Sequence, residues 1–86
     1  MKPVFAIKDR AVNNYGEPMA MPSEQHAVRW FRDIVNSDPK DSAIARHPDD
    51  YDLYQVGEYN EETAALVPNM MPELTARAKD LIQPKG

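Results

Sequence analysis

The stretch His47–Leu66, HPDDYDLYQVGEYNEETAAL, holds the densest run of strand and turn signals in the chain. Asp52 to Tyr59 is rich in aromatic and β-branched residues, and Ala64 to Val67 is a short apolar run. Between them lies Asn60-Glu61-Glu62-Thr63, whose short polar side chains can bond their own backbone and close a turn. The pattern predicts a β-hairpin over 51–67. Alternation puts Tyr54 and Val56 on one face of its first strand and Leu53 and Tyr59 on the other. Apolar side chains on both faces call for partners on both, so this strand is expected to be central. Gly57 within it marks a bulge or a close backbone approach.

Working outward from the hairpin, Pro3 to Asp9 alternates Phe5 and Ile7 with Val4, Ala6 and Lys8, the period of two of a strand over 3–9. If Phe5 and Ile7 face the core, Lys2, Lys8 and Arg10 share the opposite face, either as a solvated, edge-protecting row or as phosphate contacts. Asn13 to Pro18 carries turn residues and is expected to be a loop, after which Met19 to Met21 adds a short extended piece. Ser23 is an N-cap for a helix over 23–36, with Ala27, Val28, Phe31, Ile34 and Val35 forming its apolar stripe. Trp30 lies at the stripe's border, either a core ring or a stacking platform flanked by Arg29 and Arg32. Asp38 to Pro48 is a long polar connection in which Ser42 to Arg46 suits one turn of helix. A last helix is expected over 72–83, where Leu74, Ala78, Leu81 and Ile82 keep helical spacing, with Asn69 as its cap and Arg77 and Lys79 outside. Met70 and Met71 are adaptable fillers for the sheet or for a partner chain.

These elements make a small single α+β domain, β-α-β-β-α, with a three-stranded, mainly antiparallel sheet packed against helices. Its 86 residues, 42% hydrophobic, hold one core, and the modest stability of a domain this small favours self-association. The free sheet edge points the same way, to a homodimer. Without cysteine there is no disulfide framework and no Cys-based zinc site, which suits a reducing cytoplasm. No apolar run has the length of a membrane span, and Met1 to Asp9 lacks the apolar core of a secretory signal. The chain is therefore expected to stay in the cell that makes it.

Enzyme signatures are missing: no Gly-rich phosphate loop, nucleophile elbow or His–carboxylate pair at a recognised spacing is present. Asp49, Asp50 and Asp52 lack the glycine and glutamate of a calcium loop, and His26 and His47 have no ligand spacing, so no cofactor or metal is expected. The formal charge of −4 argues against coating nucleic acid by bulk electrostatics. Its distribution is uneven. Six of the fourteen acids fall between Asp49 and Glu62, whereas Lys2, Lys8 and Arg10 precede Tyr15, and Arg29 and Arg32 flank Trp30. Lys2, Lys8, Arg10, Arg29, Trp30 and Arg32 are thus the candidate nucleic-acid-binding residues, and the acidic hairpin is a candidate dock for a basic protein.

FAIKD near the start, Met21-Pro22 before a helix with Phe31 and Asn36, and above all His47-Pro48-Asp49-Asp50-Tyr51, Leu53-Tyr54, Val56-Gly57-Glu58-Tyr59-Asn60 and Thr63 resemble one family. It is the small non-structural, DNA-binding protein family of gokushovirus-type microviruses, which are single-stranded DNA phages. The resemblance implies a protein acting in the cytoplasm of an infected bacterium. Its expected role is in genome replication, or in the switch to single-strand synthesis coupled to packaging. Single-stranded DNA, bound without sequence preference, is then the expected partner, with a viral replication or capsid protein as the alternative.

Overall fold

The computed structural model describes residues 1–84. The central strand of the fold is β4 (Tyr51–Asn60), paired antiparallel on one side with β1 (Lys2–Asp9) and on the other with β5 (Ala65–Arg77). The outer edge of β1 carries two short strands in succession, β2 (Asn14–Tyr15) and β3 (Met19–Ala20), giving a five-stranded sheet. Helix α1 (Glu24–Val35) covers one face, and a single turn, α2 (Ala43–Arg46), anchors the long connection that follows. The expected α+β domain is therefore present with five strands in place of three. One extra strand, β3, is the extended piece expected at Met19 to Met21; the other, β2, comes from the loop after β1, which turns back at Asn13 (φ 58°) and pairs Tyr15 with Lys8.

The caps act as their residue types dictate. Ser23 accepts the backbone N–H of His26 at 3.1 Å, and Ser42 accepts that of Ala45 at 3.2 Å. Ala27, Phe31 and Val35 are the buried stripe of α1. They pack on Phe5, Leu53, Met21 and Ala78, with Ile7, Tyr51, Trp30 and Leu81 closing the margins. Trp30 is thus the rim-seated core ring of its two readings.

The hairpin turn closes on Asn60, whose side chain accepts the Glu62 N–H at 3.0 Å, while its carbonyl accepts the Ala64 N–H at 2.7 Å. Gly57 satisfies both of its expectations. The register of β1 on β4 slips between Val4 and Phe5, so that Val56 is an extra residue on β4. A Cβ on Gly57 would lie 2.5 Å from the Val67 carbonyl oxygen, a separation no side chain tolerates. The bulge also corrects one face assignment. Tyr59 falls opposite Lys2, on the same side as Tyr54, because the extra residue reverses the alternation beyond Val56.

The helix expected over 72–83 is replaced by strand through Arg77 and a 3-10 turn at Ala78–Leu81. Its helical spacing is real but short. The free edge of β4 needs a partner for its backbone groups from Asp52 to Gln55, and Glu73 to Arg77 supply it. The periodic residues are nonetheless apolar for a reason: Ala78 is buried and Leu81 packs on the core. Asn36 at the end of α1 ties this segment down, donating to the Leu81 carbonyl at 2.9 Å and accepting the Gln83 N–H at 2.8 Å. Asn69 caps nothing; its amide donates to the Gln55 carbonyl at 3.2 Å. Met70 and Met71 do not fill the sheet, but stand exposed in an outward excursion of β5.

Candidate nucleic-acid interface

Residues directly opposite each other in a sheet point to the same face, so the registers sort the side chains. Phe5, Ile7, Tyr51, Leu53 and Ala76 face α1. Lys2, Val4, Ala6 and Lys8 of β1 face away, together with Tyr15, Ala20, Asp52, Tyr54, Tyr59, Leu74 and Arg77. No helix among the described residues covers that second face.

Its centre is aromatic and basic. The Lys8 ammonium stands 5.3 Å from the centroid of the Tyr15 ring, and Tyr15 meets Tyr54 edge-to-face at 5.5 Å and 77°. Tyr54 lies opposite Ala6, and both Val4 and Ala6 are buried although they lie on the uncovered side. Beside the rings, Asp52 is 1% exposed, and its Oδ2 lies 3.1 Å from Arg10 Nε and 3.7 Å from Arg77 Nη1. Arg10 is fixed further, donating from Nη2 to the Asp49 carbonyl and from its backbone N–H to the Asp50 carbonyl. The result is three cations and two phenol rings around one buried carboxylate. Next to them Val4, Pro18, Val56, Leu66, Val67 and Pro68 line an apolar groove of about 370 Å³.

On the opposite, helix-bearing side, Asp9 and Tyr51 are cross-strand neighbours. Burial raises the Tyr51 pKa above its ordinary value, and the Asp9 carboxylate beside it, which accepts the phenol proton in a hydrogen bond, raises it further. Tyr51 is a neutral structural donor there and not part of the basic surface.

The six sequence candidates divide between the two sides. Lys8 and Arg10 meet at the aromatic pair. Lys2 shares their face but lies six residues up β1, about 20 Å away, where it is opposite Tyr59. Arg29, Trp30 and Arg32 ride on α1, beyond the sheet, and are not brought together with the strand cations. Three members of the cluster escaped the sequence reading. Arg77 was hidden by its assignment to a helix. Tyr15 was hidden in an expected loop, and Asp52 among the acids of the rejected calcium loop. Tyr54 carried a usable signal, its alternation with Leu53.

Comparison with known proteins shows where this fold belongs. A family model described as Phage ORF5 protein matches residues 2–81, from the first strand through the 3-10 turn. The chain belongs to the Phage ORF5 family. It is similar to Protein ORF5 of Chlamydia phage 1, with 30% identity over 66 residues, covering 74% of this chain and 69% of that protein. This Phage ORF5 protein is thus a small protein of gokushovirus-type microviruses, as the central block implies. No solved structure matches the chain. No helix among the described residues is long and apolar enough to cross a membrane.

Proposed function

We propose that this phage protein binds single-stranded DNA, without base preference, on the uncovered face of its sheet. The observation that carries the reading is the cluster on that face: Lys8 over Tyr15, Tyr15 against Tyr54, and Arg10 and Arg77 beside them. Unpaired bases stack on aromatic rings whatever their identity, while cations along the same surface take the phosphates. A duplex hides its bases, so a ring platform favours single strands. Lys2 and Tyr59 repeat the cation–phenol pairing farther along the same face, so a strand laid along β1 meets both. The setting is the cytoplasm of the infected bacterium, during genome replication or its switch to single-strand synthesis and packaging.

The test is an anisotropy titration with a labelled oligothymidylate across salt concentrations. Three to four phosphate contacts, each about 0.7 in the salt slope, give a log–log slope of about −2 to −3. Absence of binding at low salt refutes the reading. The apolar groove beside Gly57 and the exposed Met70 and Met71 favour the second reading, an adaptor docking on a viral or host replication or capsid protein. A homodimer is the proposed assembly, formed through the outer edge of β5, the long strand edge left unpaired. Pro68 and Pro72 remove two donors from that edge, so pairing is confined to the stretches around them. Light scattering is expected to show twice the chain mass at micromolar concentration; a monomer removes this assembly.

A further inference from the structure

We infer that Asp52 is a positioning residue, holding Arg10 and Arg77 together as a two-pronged clamp for one phosphate; this rests on the nucleic-acid reading above and deepens it. Two guanidiniums side by side repel each other. Here both turn toward the same oxygen, Asp52 Oδ2, from opposite edges of the strand that bears it. The carboxylate is 1% exposed, whereas the two arginine side chains are 42% and 41% exposed, so the anion is inside and the cations are at the surface. A buried carboxylate is retained only where cations are gathered around it. Both of its oxygens lack a hydrogen bond among the described residues.

Its remaining donors point to the ligand. Arg10 holds Nε in an ion pair with Asp52 and donates Nη2 to the Asp49 carbonyl, leaving Nη1 without an acceptor among the described residues. Arg77 stands at 3.7 Å, attracted but beyond hydrogen-bond reach, so its planar fork can swing onto an incoming anion. Two forks side by side suit a tetrahedral phosphate, which accepts from both at once. The adjacent Tyr15–Tyr54 pair then takes the base attached to that phosphate.

Bulk electrostatics and positioning predict opposite signs for Asp52→Asn. Removing a negative charge from a DNA-binding surface should tighten binding, whereas releasing the clamp should loosen it. Oligothymidylate affinity is expected to fall about tenfold, and the salt slope to flatten by about 0.7, the share of the one phosphate the clamp holds. Unchanged or tighter binding by folded Asp52→Asn overturns the inference. Should that variant not fold, the double variant Arg10→Lys/Arg77→Lys decides, since it keeps both charges and loses both forks. A comparable loss of affinity supports the clamp, and wild-type affinity overturns it. If the unaltered protein binds no oligonucleotide, the DNA reading falls. Inorganic phosphate titrated against the arginine Nε–H resonances then decides the clamp. Shifts of Arg10 and Arg77 that vanish in Asp52→Asn support it, and no shift in the unaltered protein overturns it.

Discussion

Phe31→Ala is expected to lower stability by about 3–5 kcal/mol, enough to unfold a large part of the population of so small a domain at ambient temperature. The ring is fully buried and packs in one cluster with Phe5 of β1, Leu53 of β4 and Ala78. Truncation removes its transfer energy and leaves a cavity. The walls are two paired strands and a capped helix, which close poorly around a gap. Urea denaturation followed by far-UV circular dichroism measures the loss as a shift in midpoint at constant slope. A midpoint within experimental error of the unaltered protein would show that α1 packs through another face.

The fold was legible wherever a local pattern and a long-range demand agreed. Ser23, the Ala27–Phe31–Val35 stripe, the Asn60 turn and Gly57 all serve the same purpose in sequence and in structure. At Glu73 to Arg77 the two conflict. Helical spacing belongs to side chains of one short segment, while strand is imposed by β4, whose edge away from β1 is paired from Asp52 to Gln55 by Glu73 to Arg77. Nothing local to residues 72–83 announces that demand. The misassigned element also hid the Arg10–Asp52–Arg77 cluster, because strand pairing is what sets Arg77 opposite Asp52.

Residues that carry the family resemblance turn out mostly to build the fold. Leu53 is core, Gly57 permits close strand approach, Asn60 shapes the turn and Asn36 ties the last segment to α1. Of the aromatic–cation cluster, only Lys8, in FAIKD, and Tyr54 lie in the resembling segments. The net −4 is a sum over the molecule and does not describe any one face. On that face Lys8, Arg10 and Arg77 surround a single buried carboxylate.

Tyr54→Leu separates stacking from charge on that face. Leucine keeps an apolar side chain opposite Ala6, so the fold is expected to survive, but it presents no π surface. Affinity for oligothymidylate should drop by about 1–3 kcal/mol, the contribution of one stacked base, or roughly 5- to 150-fold. The salt slope should stay as it was, because no phosphate contact is lost. Lys8→Ala is expected to do the reverse in part: it flattens the slope by about 0.7, with a smaller loss of affinity at moderate salt. The double variant Arg29→Ala/Arg32→Ala provides the comparison, since those arginines lie on α1 with the sheet between them and the rings. Its slope and affinity should match the unaltered protein. If that pair weakens binding while Tyr54→Leu does not, the strand runs across the helix beside Trp30, and the uncovered sheet face is left to its apolar groove and to a protein partner.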